Sequence, residues 1–116
     1  MSKNKGFSDT SANRYSLALY ELASESNSLS QIEENSLSFL NLISNNKDFN
    51  NLIKNPTISS EKLTNVIKKI TEVFKIEILF KNFLSFLILK RRFFYLEKIL
   101  NSFNEICSEK RGELKA

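Results

Sequence analysis

The chain has 116 residues, 41% of them hydrophobic, which is enough to enclose one compact core and too little for two independent ones. Because it contains only two glycines and one proline, most all-β folds, which need many turns, are excluded. Its formal net charge of +4 is compatible with an acidic partner, a nucleic acid or an anionic membrane surface, and selects none of them.

Residue types that carry out chemistry are scarce. The chain has no histidine, one cysteine and no glycine-rich loop, so the sequence predicts no catalytic, metal-binding or cofactor-binding residue. Cys107 follows Phe103 on an apolar helical face, which favours a buried structural thiol over a reactive one. The longest apolar run, residues 83–89, is shorter than the roughly 18 to 20 residues that cross a bilayer. The first residues resemble neither a secretory signal nor a transit peptide, which favours a bacterial cytoplasmic protein.

The first elements follow from polarity and helical spacing. Residues 1–10 are polar and have no periodicity, so we predict a flexible lead there and a helical-bundle domain over residues 11–116. Apolar side chains then recur at helical spacing from residue 11 to about residue 25, which predicts the first helix.

The second helix has a start signal in the sequence. Ser28 and Gln31 fit a capping box, in which two side chains satisfy the free amides at a helix start, so we expect a helix from there to about Asn45. A short helix follows, and Pro56 ends it because the proline ring forces the preceding Asn55 out of helical angles.

The fourth predicted helix, over residues 61–74, has the clearest periodicity in the chain, and Ser59 or Ser60 can cap it. Stepped at 100° per residue, its apolar side chains fall within an arc of about 120°. They are Leu63, Val66, Ile67, Ile70, Val73 and Phe74.

The next segment, residues 76–90, is apolar on more than half of its helical circumference, so one buried face cannot hold all of its side chains. The main arc consists of Ile76, Leu79, Phe80, Phe83, Phe86 and Leu87, and three further side chains, Ile78, Ile88 and Leu89, point elsewhere. We therefore predict that this helix is central or that something else covers it.

The basic triplet at residues 90–92 interrupts the apolar pattern before the last helix. A one-sided apolar face resumes at Phe93, from which Phe94 alone points away, and Gly112 offers a place for the helix to end.

Three functional interpretations of these residues remain open. The surplus apolar side chains of residues 76–89 favour a groove that accepts an amphipathic helix. The basic groups at Lys68, Lys69 and residues 90–92 are also compatible with a nucleic-acid-binding module. Alternatively, the apolar strip pairs with its own copy in a homo-oligomer.

Three segments occur in an order typical of one family. They are residues 12–23 (ANRYSLALYELA), residues 54–59 (KNPTIS) followed by Lys62, and residues 81–87 (KNFLSFL) followed by Arg92. In this order they resemble the N-terminal domain of the delta subunit of F-type ATP synthase, which is related to the oligomycin-sensitivity-conferring protein. The likeness extends from about Ser11 to Ala116.

The resemblance implies an all-α, compact bundle of about six helices that belongs to the outer stalk, or stator, and has no catalytic role. It implies a peripheral location on the cytoplasmic face of the bacterial inner membrane, with no membrane insertion, no cofactor and no nucleic acid. The expected partners are the N-terminal helix of an alpha subunit, the rest of the catalytic head and, through a second domain beyond Ala116, the b-subunit stalk.

The resemblance also implies where the alpha-subunit helix binds. The family's groove lies between the first and fifth helices, where the surplus apolar side chains were found. By position in the matching segments, the expected groove residues are Tyr15, Leu19, Leu22, Phe83, Phe86 and Leu87. The family commonly has a small residue such as glycine before Arg92, whereas this chain has Arg91, so we expect a tighter or more helical connection there.

Overall fold

The computed structural model describes residues 9–115, and over this range it confirms the all-α bundle of six helices. The helices are α1 (Asp9–Glu25), α2 (Leu29–Asn45), α3 (Lys47–Ile53), α4 (Ser60–Phe74), α5 (Ile78–Leu89) and α6 (Leu96–Lys115), and a 3-10 turn over Phe93–Tyr95 precedes α6. Of the predicted flexible lead, residues 1–8 lie outside the described residues, and Asp9 and Thr10 already belong to α1.

Helix α6 lies at the centre of the core, where α1 and α2 pack against it. Its one-sided apolar face is buried, as predicted, through Leu96, Ile99, Leu100, Phe103, Ile106 and Cys107. The buried position of Cys107 is therefore confirmed. Burial, with a smaller contribution from the charge of Glu33, raises the pKa of this thiol from its ordinary 9.0 to about 11, so it stays protonated at neutral pH.

Small side chains make the contact between α1 and α6. Ala12, Ser16 and Ala23 are buried on α1. The Ser16 hydroxyl lies 2.9 Å from the carbonyl oxygen of Ala12 and 2.6 Å from that of Ile99 on α6, so its single proton is shared between two acceptors. A serine side chain is short, so it reaches the backbone of another helix only where the two helices come close together.

The helix starts are capped in different ways. Asn46 Oδ1 accepts a hydrogen bond of 2.9 Å from the amide of Phe49 at the start of α3. Of the two serines predicted for α4, Ser59 is the cap, since its Oγ accepts a 3.1 Å bond from the amide of Lys62. Both bonds satisfy an amide that has no partner within its own helix.

The predicted capping box at Ser28 is wrong. Ser28 is the residue before α2, but its side chain makes no capping hydrogen bond. Its Oγ is buried and has no hydrogen-bond partner among the described residues. Ser28 has φ of −120° and ψ of 19°, instead of the extended backbone typical of a capping residue, so its hydroxyl does not reach the first amides of α2. Its amide donates a 2.9 Å bond back to the carbonyl of Ala23, and its own carbonyl accepts a 2.9 Å bond from the amide of Ile32 in α2.

Helices α1 and α5 both end in a Schellman motif, with a left-handed residue just past the helix. These residues are Asn27, with φ of 55°, and Arg91, with φ of 59°. At α5 the amide of Arg91 donates to the carbonyl of Ile88 over 3.0 Å, and that of Arg92 donates to Leu87 over 2.8 Å. The expected tighter or more helical connection is therefore wrong, because Arg91 adopts the conformation that favours glycine.

Two other expectations need correction. On α4, Leu63 and Ile67 are buried, but Val73 and Phe74 at the end of the predicted arc are exposed, because no described element covers the last turn of this helix. Helix α6 does not end near Gly112 but continues through it to Lys115, since a single glycine weakens a helix without breaking it.

Candidate partner-binding groove

Helix α5 buries one face and leaves part of the other uncovered. Phe80, Phe83, Leu84, Leu87 and Ile88 are buried. Ile78, Phe86 and Leu89 are 62%, 43% and 77% exposed. The prediction that α5 has more apolar side chains than its own fold encloses is therefore confirmed for these three. The prediction that Ile88 points away from the core is wrong, because the buried face is centred nearer to Leu84 than to Phe83.

A groove of about 700 Å³ lies between α1 and the chain around the end of α5. On the α1 side it is lined by Ser11, Arg14, Tyr15 and Ala18, and on the other side by Phe86, Arg92 and Tyr95. The rings of Tyr15 and Phe86, which both line it, contact each other, with centroids 6.2 Å apart and planes tilted by 56°. Lys90 Nζ lies 5.8 Å from the centroid of the Phe86 ring, within reach of a cation–π contact.

The six predicted groove residues divide into two groups of three. Tyr15 is half-buried, Phe86 and Leu22 are exposed, and Tyr15 and Phe86 line the groove directly. By contrast, Leu19, Phe83 and Leu87 are buried in the core, at 0%, 6% and 0% exposure. These three side chains point into the core, on the buried faces of α1 and α5, and are not among the residues that line the groove.

Sequence reasoning did not name five of the seven lining residues as groove residues, namely Ser11, Arg14, Ala18, Arg92 and Tyr95. Arg14 is three residues after Ser11 and four before Ala18, so helical spacing places these three lining residues on one face of α1. Arg92 and Tyr95 come after the end of α5, and only the left-handed turn at Arg91 brings them to the groove. No helical periodicity marks that position.

A second groove, of about 480 Å³, lies between α2, α3 and α4. It is mainly apolar, and its lining includes Leu42, Leu52, Val66, Val73 and Phe74. The sequence did not predict it, because Val73 and Phe74 were assigned to the buried arc of α4.

Within residues 9–115, no group of three or more histidine, cysteine, aspartate or glutamate side chains is placed to hold a metal ion. None of the helices in that range is both long enough and apolar enough to cross a membrane.

Comparison with known proteins gives consistent matches. Residues 12–116 match the family described as ATP synthase delta (OSCP) subunit. The ATP synthase subunit delta of Pelagibacter ubique (strain HTCC1062) is 62% identical over 116 residues, which are 100% of this chain and 63% of that protein. The ATP synthase subunit delta of Brucella suis biovar 1 (strain 1330) is 38% identical over 105 residues, or 90% of this chain and 56% of that protein. The chain thus spans less than two thirds of the length of these relatives.

A solved structure has the same fold. A chain of the mitochondrial ATP synthase hexamer of Toxoplasma gondii, determined by cryo-electron microscopy, superposes with a TM-score of 0.76 and 23% sequence identity. The superposition covers 79% of this chain and 51% of that one. At this level of identity the likeness describes the arrangement of the helices alone.

Proposed function

Because this chain belongs to the ATP synthase delta (OSCP) subunit family, we propose that it is a non-catalytic part of the stator, or peripheral stalk, of an F-type ATP synthase. In this proposal the groove between α1 and α5 binds the N-terminal helix of an alpha subunit. That attachment helps to hold the catalytic head against the torque of the rotor, so its task is to bind firmly and not to react.

The observation that carries this proposal is the exposed Phe86 ring opposite Tyr15 in the groove. An amphipathic helix binds by laying an apolar stripe into a groove of this kind, and aromatic side chains supply most of the contact energy. The groove follows the direction of two helices, and additional apolar surface on Leu22 and Leu89 lies exposed along the same helices. A helical partner can therefore bury side chains that the bundle leaves in water.

The chemistry of the lining supports binding over catalysis. Its described side chains are aromatic, hydroxyl, methyl and guanidinium groups. None of these is a histidine or a carboxylate, the side chains that most often act as general acid or base. Aromatic rings beside guanidinium groups instead match the composition of binding hot spots.

The proposed location follows from the same family. We propose that the protein lies peripherally on the cytoplasmic face of a bacterial inner membrane, as part of the ATP synthase, and also contacts the rest of the catalytic head. The contact with the b-subunit stalk is proposed for the second domain that the family has beyond the position of Ala116. The basic groups Arg14 and Arg92 border the groove in this proposal, so nucleic-acid binding is not needed to account for them.

The test is titration of the 116-residue chain with a synthetic peptide of the N-terminal segment of the alpha subunit from the same organism. Calorimetry is expected to give saturable binding. Phe86→Asp is expected to weaken it by roughly 2 to 4 kcal/mol, or about 30- to 1,000-fold in Kd, because it places a charge at the centre of the apolar contact. The absence of measurable binding at high micromolar peptide would overturn the proposal.

The matched control is Leu37→Asp on α2, which introduces the same charge at another exposed hydrophobic residue in a helix and away from the groove. It is expected to leave the Kd unchanged. Circular dichroism of both variants checks that the helices persist, so a loss of binding in Phe86→Asp alone can be assigned to the groove.

A further inference from the structure

The apolar surface of α5 is wider than the face that the core buries. Stepped at 100° per residue, its apolar side chains follow one another without a polar interruption from Phe86 to Ile88, over an arc of about 200°. The five buried side chains, which include Ile88 and exclude Phe86, occupy only about 140° of that arc. Rotating α5 by about 60° around its own axis would therefore bury Phe86 in place of Ile88 without bringing a polar side chain into the core.

The rotated arrangement is the one that the apolar pattern predicts. The main arc expected from the sequence includes Phe86 and leaves Ile88 outside, whereas the structure buries Ile88 and leaves Phe86 43% exposed. Burial of apolar side chains thus distinguishes only weakly between the two rotations. A hydrogen bond requires one distance and one direction, so a polar contact can select between rotations that apolar contacts tolerate equally.

Asn35 on α2 makes such a contact at the start of α5. Its Oδ1 accepts a hydrogen bond of 2.9 Å from the amide of Glu77, the residue that caps α5. In a capping box this amide is satisfied by a glutamate or glutamine three residues into the helix, but here Phe80 occupies that position. The two preceding amides donate to the carbonyl of Thr71 in α4. Asn35 therefore supplies, from another helix, the acceptor that a capping box would supply locally.

The bond between Asn35 and Glu77 depends on the rotation of α5. Backbone Cα atoms lie about 2.3 Å from a helix axis, so a rotation of about 60° moves them by about 2 Å. A displacement of this size breaks a hydrogen bond of 2.9 Å. One turn after Asn35 on α2, the Phe39 ring packs against Phe80 of α5, with centroids 5.4 Å apart. That apolar contact is less demanding, because the Phe39 ring can pack equally well against a neighbouring apolar side chain of α5.

We propose that Asn35 is a positioning residue, whose bond to Glu77 sets the rotation of α5 and thereby keeps Phe86 in the groove. This inference rests on the function proposed above, and it adds a residue that is not among those lining the groove. Glu77 precedes Phe86 by nine residues, or about 14 Å along the helix, so Asn35 acts on the groove through α5. Without the bond, α5 turns toward the rotation that buries Phe86, and the groove loses its exposed phenylalanine ring.

The test measures which side of α5 faces water. A water-soluble nitroxide is added to the 116-residue chain, and the broadening of proton NMR signals is compared between the Phe86 ring and the Ile88 methyl groups. In the unaltered chain we expect the Phe86 signals to broaden and the Ile88 signals to be protected. Asn35→Leu, which removes the acceptor at nearly the same side-chain size, is expected to reverse this order. Asn35→Asp keeps an oxygen acceptor at a helix start, where negative charge is favourable, and is expected to retain the original order.

The matched control is Asn104→Leu on α6. Asn104 Oδ1 also lies within hydrogen-bond distance of another helix, 3.4 Å from Ser36 Oγ, but this contact joins α6 to α2 and does not involve α5. The control is expected to leave the broadening of both signals unchanged. If Asn35→Leu loses its helical circular dichroism, the measurement is made on Asn35→Ala, which removes the same oxygen and favours a helix.

The alpha-subunit peptide provides the second measurement. Asn35→Leu is expected to raise the Kd of the peptide about tenfold, which corresponds to about one tenth of the molecules keeping Phe86 exposed. Asn35→Asp and Asn104→Leu are expected to leave the Kd unchanged.

The outcomes separate this inference from the proposed function. If Asn35→Leu leaves both signals as they are, or broadens both because α5 is merely loosened, the inference is overturned. If the order reverses but the Kd of the peptide is unchanged, Asn35 sets the rotation without affecting the groove, and its positioning role is overturned. If the order reverses and the unaltered chain does not bind the peptide, the proposed function is overturned and the effect of Asn35 on the rotation stands.

Discussion

The contact between α1 and α6 differs from the contact between α1 and α5 in the size of the side chains that meet there. Toward α6, alanines and Ser16 let the helices approach until a hydroxyl lies 2.6 Å from the carbonyl of Ile99. Toward α5, the larger rings of Tyr15 and Phe86 contact each other, with centroids 6.2 Å apart, and line a groove beside the two helices. One helix therefore builds the core on one side and a binding surface on the other, and side-chain volume decides which is which.

The largest expected effect compares two phenylalanines on α5. Phe80 is 0% exposed and packs 5.4 Å from the Phe39 ring, so Phe80→Ala should lower the free energy of unfolding by about 4 kcal/mol through loss of burial and the cavity left behind. Phe86→Ala removes a half-exposed ring that lines the groove, and it should lower the free energy of unfolding by only about 1 kcal/mol. Urea denaturation measures both, and equal losses in the free energy of unfolding would contradict the difference between the closely packed core and the groove beside α5.

The close contact between α1 and α6 is tested by replacing Ser16 with a larger residue. Ser16→Leu should lower the free energy of unfolding by about 3 kcal/mol, because the added carbons have no room between α1 and the backbone of α6. The control is Ser108→Leu on the exposed face of α6, which should change stability by less than about 0.5 kcal/mol. If Ser16→Leu behaves like its control in urea denaturation, the two helices are not closely packed.

A smaller effect on stability is expected at the turn after α5, which brings Arg92 to the groove. Arg91→Gly should raise the free energy of unfolding by about 1 kcal/mol, because glycine adopts a φ of 59° without the steric cost that an arginine bears. Asn27→Gly, at the equivalent position after α1, should change stability less, since asparagine tolerates this conformation better than arginine. Thermal denaturation that ranks Asn27→Gly above Arg91→Gly would contradict this account.

The smallest expected effect is a change of stability with pH that comes from the buried thiol of Cys107. Since the pKa of Cys107 is raised from 9.0 to about 11, the unfolded chain loses the thiol proton at a lower pH than the folded protein does. Between these two values unfolding releases a proton, so the contribution of this thiol to stability is complete below pH 9.0 and declines toward about pH 11. Cys107→Ala should flatten this part of the profile, and an unchanged slope would count against a buried thiol.

Much of the fold follows from local patterns in the chain. Pro56 ends α3, Ser59 caps α4, and the one-sided spacing from Leu96 to Cys107 buries α6. These features depend on a few neighbouring residues, which is why the sequence predicts them. The corner at Ser28 was mispredicted because its backbone does not adopt the extended angles of a capping residue, which residue types alone do not reveal.

The groove was harder to predict than the fold. The apolar surplus on α5 correctly marks the region, but apolar spacing does not reveal the direction of each neighbouring helix. Leu19, Phe83 and Leu87 were therefore assigned to a surface, although they are buried. Arg92 reaches the groove only through a left-handed arginine, a conformation that residue preferences argue against.

Ser28 joins two helices without any intervening slack, since its amide completes the end of α1 and its carbonyl begins α2. A protein that resists twisting has to transmit force from the surface where it is gripped to the rest of its body. The turn between the helices has only three residues, 26–28, and all three amides bond back to α1, so little loose chain extends before a pull on α1 reaches α2. In the proposed stator, stiffness would thus begin in the backbone itself, one corner away from the docked helix.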